Sequence, residues 1–186
     1  MTHRVHIDLR SIDGKVLSGG RLELRDHHGV VVESWASGNL HAVGPLLPGA
    51  VYTLHEVVAP DGYVRARDIV FNNEREDKEQ RVSMVNKIMW AERRVGKSAI
   101  LSGARMLVRD ESGVTLDAWT STHDAHPMCH LEEGRTYILY ETDAPQGIMP
   151  ARPVTFTVHD HKQPETIVLT SVPHASGARR AQMVRG

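Results

Sequence analysis

Cysteine is nearly missing from this chain. Cys129 is the only one, which excludes an intrachain disulfide, a cysteine-based zinc site and a CxxC redox motif. A lone thiol leaves the redox compartment open. No apolar run approaches the length that spans a bilayer, and the N-terminus Met1-Thr2-His3-Arg4-Val5-His6 has no apolar signal core. An exported protein would therefore carry these residues as part of a longer chain. Charge of one sign is absent as well: 22 Lys and Arg stand against 23 Asp and Glu. The two signs alternate along the sequence, so no basic face tracks a phosphate backbone and no basic amphipathic helix lies on a membrane. Neither nucleic acid nor membrane is expected as a partner. Helical periodicity is lacking over any useful length. No glycine-rich phosphate loop, Ser/His/Asp order or paired-carboxylate arrangement stands out, so neither an enzyme nor a cofactor is expected.

What is present is a repetition. Leu17-Ser18-Gly19-Gly20, Ser34-Trp35-Ala36-Ser37, Tyr52-Thr53-Leu54-His55-Glu56 and Ala59-Pro60-Asp61-Gly62 return as Leu101-Ser102-Gly103-Ala104, Ala118-Trp119-Thr120-Ser121, Tyr137-Ile138-Leu139-Tyr140-Glu141 and Ala144-Pro145-Gln146-Gly147. The order is kept and the offset is 84 or 85 residues throughout, so the chain holds two copies of one folding unit. Each copy is just long enough for one modest core.

Period-two alternation marks half-buried strands at Val5–Leu9, Arg21–Arg25, Val51–Leu54, Asp68–Phe71 and Arg81–Val85. Turn signals separate them at Asp13-Gly14, Asp26-His27-His28-Gly29, Leu47-Pro48-Gly49 and Pro60-Asp61-Gly62, and the second copy repeats the punctuation. Short strands so punctuated predict an all-β fold of two tandem antiparallel sandwiches. The domains are 1–87 and 88–175, with almost no linker between Val85 and Ile88, followed by a basic, disordered tail at 176–186. The polar stretch Asn72–Gln80 reads as a solvated hairpin tip.

The residues Gly14–Gly20, Leu22–Asp26, Ser34-Trp35, Pro48-Gly49, Tyr52–Glu56 and Ala59–Tyr63 resemble the Cna B-type, SpaA-like prealbumin-fold domains of Gram-positive surface proteins and pilins. The likeness covers nearly all of both copies. It implies an immunoglobulin-like or transthyretin-like sandwich on the bacterial cell surface, used as a stalk in an adhesin or pilus. The implied partners are neighbouring domains of a longer surface protein; the alternative is a binding module for a host protein or glycan.

Many members of that family carry an isopeptide bond between a first-strand Lys and a last-strand Asn or Asp, assisted by a Glu. A buried lysine must lose its proton to attack, and a buried carboxylic acid polarises the amide and shuttles protons. In copy one the resemblance places the assistant at Glu56, the acceptor at Asn86 and the nucleophile at Leu9. In copy two it places the assistant at Glu141 and the acceptor at Ser171. The nucleophile position there is Arg93 by direct counting, or Glu92 if the turn holds one extra residue, a register that alternation of Ile88, Trp90 and Glu92 favours. No lysine stands at any of these positions. Lys15 and Lys97 lie in turns and are expected to face water; a self-crosslinking domain using a non-standard lysine is the remaining enzymatic reading. Without a lysine, a neutral Glu56 is expected to bond Asn86, and an Arg93–Glu141 pair is expected if the direct count holds.

Twelve histidines include His159-Asp160-His161, His123 and His126. Alternate strand positions share a face, but no fixed-spacing ligand set emerges, and they are read as solvated positions without a metal. Trp35 and Trp119 recur as sheet anchors, and Trp90, without a counterpart, is placed at the interdomain contact.

Overall fold

The structure, a computed structural model, describes residues 3–74, 79–160 and 163–171. The predicted tail and the centre of the predicted hairpin tip, 75–78, lie outside the described residues. The first unit contains β1 (His3–Ser11), β2 (Arg21–Arg25), β3 (Val31–Ala36), β4 (His41–Leu46), β5 (Val51–Val58), β6 (Ile69–Asn72) and β7 (Gln80–Asn86). The second repeats them as β8 (Met89–Val95), β9 (Arg105–Asp110), β10 (Thr115–Thr120), β11 (His126–Pro127), β12 (Thr136–Asp143), β13 (Val154–Thr157) and β14 (Glu165–Ser171).

Each unit stacks a three-stranded sheet, β4-β1-β7 or β11-β8-β14, on a four-stranded one, β3-β2-β5-β6 or β10-β9-β12-β13. Alternation dictates which side chains meet between the sheets. Val5, Ile7 and Leu9 of β1 point inward, as do Leu22 and Leu24 of β2, Tyr52 and Leu54 of β5, and Val82 and Met84 of β7. The second core is built alike from Met89, Met106, Val108, Tyr137, Leu139 and Leu169. Each buried aliphatic side chain of this size contributes about 1.5–3 kcal/mol.

One feature departs from an all-antiparallel sandwich: β1 pairs β7 in parallel, Val5 opposite Gln80 through Ser11 opposite Asn86, and β8 pairs β14 likewise. Because first and last strands run the same way, the chain enters each unit at one end and leaves at the other. Consecutive units are thereby laid one after another.

The junction is packed rather than merely short. Val64, from the loop after β5, is 1% exposed and belongs to the hydrophobic cluster of the second unit. Beside it, the Arg65 N–H donates to Leu131 O (2.8 Å) and the Glu133 N–H donates to Arg65 O (3.0 Å). The Arg65 guanidinium pairs with Glu132 at 2.6 Å. Lys87, buried between the units, donates from Nζ to His159 O and pairs with Glu165 at 3.1 Å. Trp90 lines a small cavity there with Ser11, Tyr63 and Lys87.

Candidate functional site

Three inward rows end at the same place in each sandwich. In the first unit the rows Val5-Ile7-Leu9, Tyr52-Leu54-Glu56 and Val82-Met84-Asn86 bring Glu56 and Asn86 together and set Leu9 opposite Met84, two residues before Asn86, all three at most 1% exposed. The Asn86 amide Nδ2 donates to Glu56 Oε1 (2.9 Å) and Oε2 (2.8 Å) and to Val64 O (2.8 Å). The Ala66 N–H adds a 2.7 Å bond to Glu56 Oε2. Burial pushes the Glu56 carboxyl up from 4.5 to about 7, against the opposing pull of these donors. Asn86 Oδ1 is buried with no partner among the described residues.

In the second unit the rows Met89-Ala91-Arg93, Tyr137-Leu139-Glu141 and Leu169-Ser171 converge. Arg93 is the inward residue, in register with Leu169 as Leu9 is with Met84. Glu92 faces the other way and binds Arg94 at 2.7 Å, as Asp8 binds Arg10 at 2.6 Å in the first unit. The register suggested by Ile88, Trp90 and Glu92 is therefore off by one. Trp90 is only half-buried, at the junction, and Ala91 holds the core position although it is too small to mark the pattern.

Arg93 supplies the side-chain donors of the second set. Its Nε donates to Glu141 Oε1 (2.9 Å), with both side chains fully buried. One Nη2 reaches Met149 O (3.0 Å) and Ser171 Oγ (3.1 Å), and Nη1 bonds Arg94 O. The second oxygen of Glu141 accepts the Ala151 N–H at 2.5 Å, matching Ala66 on Glu56. A buried guanidinium with each fork engaged is an ionic staple between the two sheets.

Neither set holds a lysine amine: Leu9 stands in the first and Arg93 in the second. Lys15 and Lys97 are exposed.

Residues 94–172 match the family model described as SpaA: Prealbumin-like fold domain. The second unit is a SpaA-like prealbumin-fold domain. The first unit has the same strand order in both of its sheets. Among solved structures, the Bacillus anthracis TIE protein is 14% identical with TM-score 0.42; the match covers 91% of this chain and 34% of that one. The shaft pilin SpaA from Lactobacillus rhamnosus GG is 13% identical with TM-score 0.39, covering 96% of this chain and 99% of that one. A streptococcal ancillary pilin is 22% identical with TM-score 0.40, covering 91% and 62%. The chain thus spans about a third of the first of these and nearly all of the second. No curated protein sequence matches the chain.

A second duplicated set escaped the sequence reading. In the first SpaA-like unit the His41 ring stacks on Trp35 (centroids 4.6 Å apart) while its Nε2 bonds Glu33 Oε1 at 2.6 Å. In the second, His126 stacks on Trp119 at 4.1 Å and bonds Asp117 Oδ2 at 2.9 Å. Each clasp joins the edge strand of one sheet to the edge strand of the other. Burial would raise the Asp117 carboxyl, but bonds from His126 and the Cys129 N–H outweigh it and hold the group below its ordinary range. The signal was visible: a carboxylate two residues before each Trp and a His 85 residues apart in the two copies. What hid it was that the pairing crosses sheets. His123 lies exposed in a loop, with ring Nδ1 3.3 Å from Ile100 O, His159 is exposed and engaged with Lys87 through its carbonyl, and His161 lies outside the described residues. Among the described residues no group of three or more His, Cys, Asp or Glu is placed to hold a metal ion.

Proposed function

We propose that the chain is a structural spacer of a bacterial cell-surface protein or pilus. It is a non-enzymatic, extracellular pair of SpaA-like sandwiches, residues 1–87 and 88–175, whose partners are neighbouring domains of a longer surface protein and in which neither unit carries the Lys–Asn isopeptide cross-link. The observation that carries this reading is the pair of core sites: Leu9 and Arg93 stand where a lysine would have to stand beside Glu56 with Asn86 and beside Glu141 with Ser171. Packing holds the first unit together there, and an ion pair the second.

The topology supports a spacer over other roles. Parallel first and last strands pass the chain from end to end, and the Val64–Arg65 contact with Leu131–Glu133 restricts how one unit moves on the next. Recognition of a host protein or glycan by exposed Trp rings draws less support, because Trp35 and Trp119 pack on the cores and each gives a face to a histidine. Self-crosslinking by one of the described lysines is disfavoured by the exposed turn positions of Lys15 and Lys97 and by the engagement of Lys87 with His159 and Glu165.

Small-angle X-ray scattering tests the spacer reading. The chain should scatter as one particle of fixed shape, and insertion of a Gly-Ser linker between Lys87 and Ile88 should convert the profile to that of two independently moving bodies. A profile already that of two independent bodies before insertion would overturn it.

A further inference from the structure

The internal repeat allows the two ends of the molecule to be compared with its middle. At the junction, the outgoing loop of the first unit docks on the incoming loop of the second. The same two loops exist again at the opposite ends, undocked among the described residues. Their equivalence is fixed by shared hydrogen bonds. In the outgoing loop, Ala66 N–H to Glu56 matches Ala151 N–H to Glu141, and Tyr63 N–H to Pro60 O matches Ile148 N–H to Pro145 O. In the incoming loop, Leu47 N–H to Tyr52 Oη matches Glu132 N–H to Tyr137 Oη, and Gly49 N–H to Asn73 O matches Gly134 N–H to Val158 O. Val64 and Arg65 thus correspond to Met149 and Pro150, and Glu132 and Glu133 to Leu47 and Pro48.

The differences fall on the contact atoms. Two N–H groups make the backbone-to-backbone bridge, those of Arg65 and Glu133, and the Arg67 N–H adds a 3.1 Å bond to the Glu133 carboxylate; the counterparts of Arg65 and Glu133 are Pro150 and Pro48, which have no N–H to give. The Arg65–Glu132 ion pair has Pro150 and Leu47 in its place. Val64 is 1% exposed, whereas Met149 is 46% and Leu47 72% exposed. A second copy approaching head to tail would bury two carbonyls without donors and form no ion pair. That is the arrangement by which an interface discriminates against the wrong partner.

We infer that the junction is a once-only lock: the incoming loop Leu131–Glu133 fits the Val64–Arg67 loop of its own chain, and prolines at both outer ends keep further copies of the chain from stacking through the same bridge. A head-to-tail contact that does not close generates filaments, so blocking it keeps the number of units set by the covalent sequence. The inference does not depend on the spacer role; scattering by the linker-inserted chain tests that role, and self-association tests this one.

Sedimentation equilibrium of the intact chain, run up to about 1 mM to match the effective concentration a short linker provides, reads the outcome. The unaltered chain should remain a monomer. The triple variant Leu47→Glu, Pro48→Glu, Pro150→Arg, which restores both donors and the ion pair at exposed positions, should associate at least tenfold more tightly. A chain carrying only Pro150→Arg, mixed with one carrying only Leu47→Glu and Pro48→Glu, should form one-to-one dimers. Amide spectra matching the parent chain would show that the variants fold. Association of the unaltered chain with Met149 and Leu47 protected from hydroxyl-radical labelling would overturn the inference, and so would a folded triple variant that stays monomeric.

Discussion

Glu56 gives a pH dependence whose sign and size both come from its surroundings. Its carboxyl sits near 7 in the folded unit against an ordinary 4.5, so between those values the folded chain holds a proton that the unfolded chain has released. Stability therefore falls as pH rises through this window, by 2.303RT for each proton difference and each pH step. At about 1.4 kcal/mol per pH step, the full loss for the first unit is about 3 kcal/mol from pH 4.5 to 7. The contribution is fully present below pH 4.5 and gone above 7. Glu56→Gln keeps the shape and removes the proton. The variant should match the parent at pH 4.5, exceed it by about 3 kcal/mol at pH 8 and lose this part of the pH slope. Urea unfolding followed by residue-resolved NMR assigns each transition to its unit, which a single midpoint for a two-domain chain does not. Equal slopes for parent and variant in the first unit would refute the argument, because burial would then not be governing the carboxyl.

Other expectations concern the same core sites. Glu141→Gln leaves the Arg93 guanidinium buried without its anion and should cost the second unit about 3–5 kcal/mol, lowering its melting temperature by more than about 12 °C for a unit this size; Glu111→Gln, at an exposed turn, should change it negligibly, and equal losses would refute the staple. Leu9→Lys places an amine where Arg93 stands in the second unit, beside Glu56 and Asn86; attack on the Asn86 side-chain carbonyl should form an amide and release one ammonia, read by denaturing mass spectrometry, and Glu56→Ala in the same chain should prevent it. Under single-molecule pulling both units should extend fully, each by about 3.6 Å per residue, or about 300 Å for the span from β1 to β7; a locked contour would contradict an uncross-linked core.

Strict alternation made β1, β2, β5, β6 and β7 readable, and the Leu-Ser-Gly, Trp and Glu anchors made the duplication readable. Other strands carried no such pattern. Both faces of β3 begin exposed at Val31 and Val32, and β4 is broken by Gly44-Pro45, so neither shows a period of two. Strand direction is not encoded in alternation at all, which is why the parallel β1–β7 pair emerges only in the fold. At the core sites, Leu9, Glu56 and Asn86 could be placed by counting from anchors, and so could Glu141 and Ser171. Glu92 and Arg93 stayed alternatives because a charged residue on an inward row contradicts the hydrophobic pattern; only its partners Glu141, Met149 and Ser171 make the Arg93 placement physically acceptable. The junction was equally hidden: Val64 and Met149 look alike in sequence, and one is buried while the other is exposed because of the unit that follows.

The central claim is that both SpaA-like units are held without a covalent cross-link, and the intact mass of the purified chain under denaturing conditions tests it most directly. The account predicts the mass of the sequence, allowing for removal of the initiator methionine. A mass short by one ammonia would show a lysine joined to an asparagine, and one short by a water a lysine joined to a carboxylate; either would contradict it.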